Sequence, residues 1–152
     1  MENNNPFLGN LVSAKAALRD SFAATMLKEM CDRNITDVFL YGYTPYFNDG
    51  ESCEFSMHGM DSDEIQHHFE LSDEDLDAVI EKLYKKISDS SYESGRYVPA
   101  VYTPEAIQYS EFVNVICDAS EIFRMTYGDH QVHWFKVRDG VLIHTSKNYE
   151  HD

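Results

Sequence analysis

An α+β domain is what this sequence predicts, with an antiparallel four-stranded sheet made from two β-hairpins and packed against about three helices. Three observations carry that expectation. Apolar residues recur at helical spacing in three stretches. Two other stretches are rich in aromatic and β-branched residues, as strands are. Each of these two is divided by a turn sequence, Asn48-Asp49-Gly50 in the first and Asp139-Gly140 in the second. With 152 residues, 43% of them hydrophobic, the chain fits one domain, 1–152, with a core of its own.

Residues 1–9 are polar, contain Pro6 and Gly9, and are expected to be loose. Asn10 can cap a helix over roughly 11–33, in which Leu11, Ala14, Leu18, Phe22, Met26 and Met30 form one face and Asn34 marks the stop. The first hairpin follows at about 37–58. Pro45 suits an edge or a bulge because it lacks an N–H. Its tip carries Tyr43, Tyr46, Phe47, Asn48 and Asp49, while Tyr41 and Phe55 read as core. In 59–71, Ile65, His67 and Phe69 alternate, which allows a short third strand. Ser72 caps a second helix whose first turn holds Asp73, Glu74 and Asp75 and whose stripe is Leu76, Val79, Ile80, Leu83 and Ile87. A loop over Ser88 to Gly95 comes next. Thr103-Pro104-Glu105 opens a third helix that Gly128 ends. The last hairpin pairs His130–Arg138 with Val141–Lys147, and its two-residue turn sets Val137 opposite Leu142, Phe135 opposite His144 and Trp134 opposite Thr145. Two hairpins joined edge to edge, with helices on one face, complete the expected architecture.

The run Tyr43-Thr-Pro-Tyr-Phe-Asn-Asp-Gly-Glu51, followed by Cys53-Glu-Phe-Ser56, resembles a block in a family of small proteins of tailed bacteriophages and some bacteria. That family has a helical start and closes with a Gly-Asp-His segment, a hairpin and an acidic Tyr-x-His-Asp end. The matching pieces here are Tyr127-Gly128-Asp129-His130, Asp139-Gly140 and Tyr149-Glu150-His151-Asp152. The resemblance leaves 59–120 unmatched. It implies a phage source and carries over no catalytic residue.

Charge is the strongest compositional signal. Lys and Arg number 12 against 27 Asp and Glu, a formal net charge of −15. Such a field disfavours direct binding of nucleic acid or an anionic membrane. Thirteen of the 27 acids lie between Arg33 and Lys82, where the sequence has no Lys or Arg. There is no apolar run long enough to span a bilayer and no basic segment opening the chain, so a cytoplasmic site is expected. Cys31, Cys53 and Cys117 are widely spaced and read as reduced, mostly buried thiols.

Chemistry-bearing motifs are few. Asp61-x-Asp63 begins like a calcium loop, but Gln66 stands where that loop needs Gly and Ser72 where it needs Glu. His67-His68 and His130-x-x-His133 lack ligand spacing on a helix, so no metal and no cofactor is expected. Phosphate loops, dinucleotide fingerprints, nucleophile elbows and HExxH pairs are missing, so the expectation is a non-enzyme. Tyr43, Tyr46, Asp49, Cys53 and His130 are the residues that could line a cleft at the tip. Lys136 and Arg138 share a face of the last hairpin and are the place for a phosphate-bearing ligand.

The expectation that follows is a phage accessory protein in the host cytoplasm that binds and inhibits a host protein with a basic surface. A nucleic-acid-handling defence factor fits, because closely spaced carboxylates copy the charge of a duplex, about one per 1.7 Å of axis. The residues expected to contact that partner are Tyr43, Tyr46, Phe47, Asn48, Asp49, Asp61, Asp63, Glu64, Asp73, Glu74 and Asp75. The alternative is a small-ligand binder that sequesters a nucleotide signal in a pocket lined by the Tyr43–Asp49 tip and the face of Lys136 and Arg138.

Overall fold

The structure is a computed structural model and describes residues 6–44 and 54–149. Among these residues the chain forms five α-helices, a four-stranded antiparallel sheet and two short two-stranded ribbons. The α+β class is therefore as expected, with more helices than the three foreseen. None of these helices is long and apolar enough to cross a membrane.

Helix α1 runs Pro6–Asp32. It starts before the expected 11, so residues 6–9 are helical rather than loose and Asn10 lies inside the helix instead of capping it. Its end follows the sequence. Asn34 takes φ 55°, its N–H donates to the Cys31 carbonyl at 3.1 Å and that of Ile35 to the Met30 carbonyl at 2.9 Å. This is a Schellman stop, and both Ile35 and Met30 are buried beside it. Burial begins only with Leu18 and Phe22. Leu11 and Ala14, expected on the inward face, are exposed. Cys31 is exposed too, against the expected buried thiol, and Cys117 is half-buried. Cys53 lies outside the described residues.

Strand β1 (Asp37–Tyr43) pairs with β2 (Ser56–Gly59), Tyr43 standing opposite Ser56. The expected Asn48-Asp49-Gly50 turn between them lies outside the described residues. Helix α2 (Ser62–Phe69) occupies the stretch whose alternation allows a short third strand. Ile65 and Phe69 are four apart, and both are buried. That spacing fits a helix as well as a strand, and the cap decides between them. Asp61 accepts the N–H of Glu64 at 2.8 Å, while Glu64 reaches back to the N–H of Asp61 at 3.2 Å. This reciprocal capping box commits the segment to helix. Helix α3 (Asp73–Leu83) starts at Ser72, as its sequence foretold, with the hydroxyl accepting the Asp75 N–H at 3.2 Å.

The expected loop over Ser88 to Gly95 lies within a nested pair of ribbons, and Ile87, expected on the stripe of the second helix, is exposed in the first of their strands. Strand β3 (Lys86–Ser88) pairs with β6 (Val101–Tyr102), and β4 (Ser91–Glu93) with β5 (Arg96–Val98). Ser94 and Gly95, at φ 52° and 77°, make the inner two-residue turn. The third expected helix is two. Helix α4 (Pro104–Asp118) has Thr103 as its cap, and α5 (Ser120–Tyr127) follows a break at Ala119 that no residue type announces.

Strands β7 (Gln131–Arg138) and β8 (Val141–Asn148) form the last hairpin in the expected register, Val137 opposite Leu142, Phe135 opposite His144 and Trp134 opposite Thr145. The sheet order is β2-β1-β7-β8, so the two pairs join through β1 and β7. Helices cover both faces of the sheet, not one. Val38, Leu40, His133 and Phe135 share a face, on which Phe22 of α1 and Phe123 of α5 meet edge to face at 4.8 Å between ring centres. On the other face Phe39 stacks on Trp134 at 5.2 Å, and Phe69 of α2 closes over both.

At the hairpin tip Asp139 and Gly140 have φ of 55° and 74°, the mirror-image turn that suits twisted strands. Space is not limiting at Gly140, since a Cβ there would meet nothing within 4 Å. Gly140→Val should therefore cost backbone strain alone, on the order of 1–2 kcal/mol or somewhat more for a β-branched residue. Thermal unfolding should report a midpoint lowered by roughly 2–8 °C, and an unchanged midpoint would contradict the turn.

Candidate functional site

The acidic segment is the first place to build from. Its carboxylates fall into groups with different jobs. Asp61 and Glu64 hold the first turn of α2. Asp73, Glu74 and Asp75 fill the first turn of α3, where the helix dipole favours negative charge. Glu74, Asp77 and Glu81 are exposed and recur at i, i+3 and i+7, away from the buried Leu83 side. Glu81 is paired with Lys85 at 2.6 Å. Asp63 is exposed. Asp75 turns to a different cleft, with Lys82, Lys136 and Arg138. The structure thus brings Asp61 and Glu64 together, lays out an acidic face on α3, and sets Asp75 among cations.

Of the expected aromatic tip, Tyr43 lies within the described residues, and Tyr46, Phe47, Asn48, Asp49 and Cys53 lie outside them. Tyr43 belongs to a ring cluster. Tyr41 stacks on His58 at 5.1 Å and on Tyr149 at 5.0 Å, Tyr43 lies 6.1 Å from Tyr41, and His68 packs on Tyr149 at 5.5 Å. Tyr41 reads as half-buried, and its phenol is pushed up to about 12 by burial first and by the charge of Glu64 second. The acidic start of α2 and the tyrosine cluster therefore act on each other. Asp129, beside His130, accepts the Thr44 N–H at 3.0 Å and ties the end of β1 to the start of the last hairpin.

Lys136 and Arg138 do share a face, as expected, but they are engaged. The buried carboxylate of Asp37 accepts from Arg138 at 3.0 Å, from the Trp134 indole N–H at 3.0 Å and from the Thr36 hydroxyl at 2.8 Å. Lys136 sits 4.4 Å above the Trp134 ring, and Lys82 donates to Thr36 at 2.9 Å. The cleft they line has a volume of about 390 Å³. Asp37 already occupies the position of an anion within it.

A second constellation was not foreseen. His133 Nδ1 and His144 Nε2 lie 2.9 Å apart on the face covered by α1 and α5. One nitrogen donates and the other accepts, so at least one ring is neutral. Tyr127 packs on both rings, and Arg19, whose guanidinium donates to the Thr126 carbonyl at 3.0 Å, closes the side. Burial pushes His133 down to about 3, with the charge of His144 adding to it. Burial and then Arg19 push His144 down to about 4. The register could have shown this pair, because it sets His144 opposite Phe135 and so diagonal to His133 on one face. Among the described residues no group of three His, Cys, Asp or Glu side chains could hold a metal ion.

A cleft of about 640 Å³ lies between the ends of β2 and α3, the start of α2, strand β6 and helix α4. Sequence reasoning did not find it, because its walls come from five elements spread from β2 to α4. Comparisons with protein-family models, with curated proteins and with solved structures found no match.

The histidine pair makes a prediction. Both groups take up protons more readily in the unfolded chain, whose histidines titrate near about 6.5. Stability is full above that pH and is lost as pH falls towards the folded values of about 3 and about 4. The loss between pH 7 and pH 4 should be on the order of a few kcal/mol. Urea unfolding of His133→Phe over the same range should show a flatter pH dependence than wild type, and parallel curves would exclude the pair as the cause.

Proposed function

We propose that this chain is a non-enzymatic phage accessory protein that binds the basic, nucleic-acid-handling surface of a host protein and inhibits it by occupying the place of nucleic acid. The observation that carries the reading is the exposed face Glu74, Asp77 and Glu81 of α3, together with Asp63 and Asp73, in a chain of net charge −15. Carboxylates held on a helix keep their spacing, so little ordering entropy is lost when they meet a cationic surface. Their field also steers a basic partner into contact. The phage setting rests on the resemblance of residues 43–56 and 127–152 to that family, and the defence-factor target on the analogy between clustered carboxylates and phosphates.

The second reading, a nucleotide binder at Lys136 and Arg138, is favoured by the cleft that these two line together with Lys82 as a third cation. Against it stands the Asp37 carboxylate, which would repel a phosphate at the point where Arg138 is held.

The test is displacement of fluorescent duplex DNA from host nucleic-acid-handling proteins, tried one at a time. Wild type should displace DNA from its target at about 50 mM salt and weaken steeply by about 200 mM. The variant Asp63→Asn, Asp73→Asn, Glu74→Gln, Asp77→Asn spares the capping box, so it should fold normally and lose roughly tenfold or more in potency, mostly through a slower on-rate. Equal potency of the variant, or displacement of no target at all, would overturn the reading. Displacement of labelled nucleotide by neither protein would remove the second reading as well.

A further inference from the structure

The 640 Å³ cleft combines features that belong to a site for a cation. Met60, Leu83 and Val113 are buried at its floor. Tyr84 and Tyr102 stand in its walls, Tyr102 with the Lys86 ammonium 5.8 Å from its ring centre, and its carboxylates are Asp61, Glu64 and Glu111, with no Lys or Arg among the lining residues themselves. Its volume falls inside the usual range for small-ligand sites, about 300–1,000 Å³.

We infer that this cleft receives the guanidinium of an arginine side chain presented by a basic protein partner. The inference rests on the reading of the chain as one that docks to a basic partner, and it names an anchor apart from the Glu74, Asp77 and Glu81 face, on the Leu83 side of α3.

A guanidinium is planar, weakly hydrated and able to stack on an aromatic face while it bonds a carboxylate with two parallel N–H groups. Tyrosine walls and flanking carboxylates answer both properties, and an apolar floor takes the methylenes of the stem. The walls are set before any ligand arrives. Tyr84 donates its hydroxyl to the Met60 carbonyl at 2.5 Å, and Tyr109 behind it holds the Phe39 N–H at 3.1 Å. Glu64 is half-buried, and its part in the capping box uses one of its two carboxylate oxygens. Burial first, and the neighbouring charge of Asp61 in addition, outweigh the Asp61 N–H that it accepts and make its ionised form less favourable than in water, an effect that an incoming cation offsets.

The experiment is an NMR titration with N-acetyl-arginine amide, followed at the methyl groups of Met60 and Val113. Wild type should show saturable shifts at both. Glu64→Gln keeps a residue able to close the capping box and removes the charge, so it should bind roughly tenfold or more weakly, the loss of one charge-assisted hydrogen bond. Ser110→Trp fills the cleft from the exposed side of α4 and should abolish the shifts, with unchanged amide signals in the β7–β8 hairpin showing an intact fold. Shifts that persist in Ser110→Trp, or that spread without saturation to Glu74 and Asp77, would overturn the site. N-acetyl-lysine amide binding as tightly as the arginine probe would overturn its assignment to a guanidinium. No partner protein enters this titration, so failure here leaves the DNA displacement reading standing, and failure of displacement leaves the arginine site to be judged on the titration.

Discussion

The pairing of β1 with β7 is the constraint on which the rest of the molecule depends. It joins the N-terminal helix and first strand pair to a hairpin formed at the far end of the chain. Val38, Phe39 and Leu40 have no exposed surface at all, because helices cover both faces of the strand. A strand buried on two faces reads as a continuous apolar run, and Val-Phe-Leu is such a run. Burial on this scale leaves no room for an unmet backbone group, whose cost would be about 1–3 kcal/mol. Strand β2 stops opposite Leu40, so the Phe39 N–H extends past it. The Tyr109 hydroxyl accepts that N–H, and the Met60 N–H meets the Phe39 carbonyl at 3.3 Å. Helix α4 and the start of α2 are thereby positioned by the needs of one residue on β1. The large cleft between them is a by-product of the same requirement.

The acids of the central segment show that charge and structure are not separate layers. Asp61 and Glu64 nucleate a helix of eight residues, too short to persist without caps. Their charges also reach Tyr41 and Tyr84, whose phenols are held up in part by them. Substitution by amides keeps the hydrogen bonds and removes the field, whereas substitution by alanine removes both. A comparison of the two kinds of variant separates what these residues do for folding from what they do for recognition.

Legibility in the sequence followed the range of the interaction concerned. The β7–β8 register, the Asn34 stop, the Ser72 cap and the Thr103-Pro104 start were all readable, since each depends on residues within a few positions of one another. The strand proposed over Ile65, His67 and Phe69 failed because two periodicities fit a short apolar pattern and the Asp61–Glu64 box went unused. The split at Ala119 carries no local signal. Exposure of Leu11 and Ala14 was unreadable for another reason: an apolar face is buried only where something packs on it, and the sheet is reached only from Leu18 onward. Of the candidate site, the acids and the shared face of Lys136 and Arg138 were legible. The neutralising role of Asp37, the histidine pair and the cleft required contacts between distant elements.

Trp134 is the single tryptophan of the chain. It stands at the seam between the sheet and α2, with Phe39 and Phe69 against its ring, Lys136 above it and Asp37 on its N–H. The α1 and α5 side of the sheet is packed by phenylalanine, tyrosine and histidine instead. The protein therefore carries a built-in optical reporter that looks at one layer boundary. Indole emission follows the polarity and charge around that ring, so it distinguishes events that lift α2 and α3 from the sheet from events confined to the opposite layer, without any label being attached.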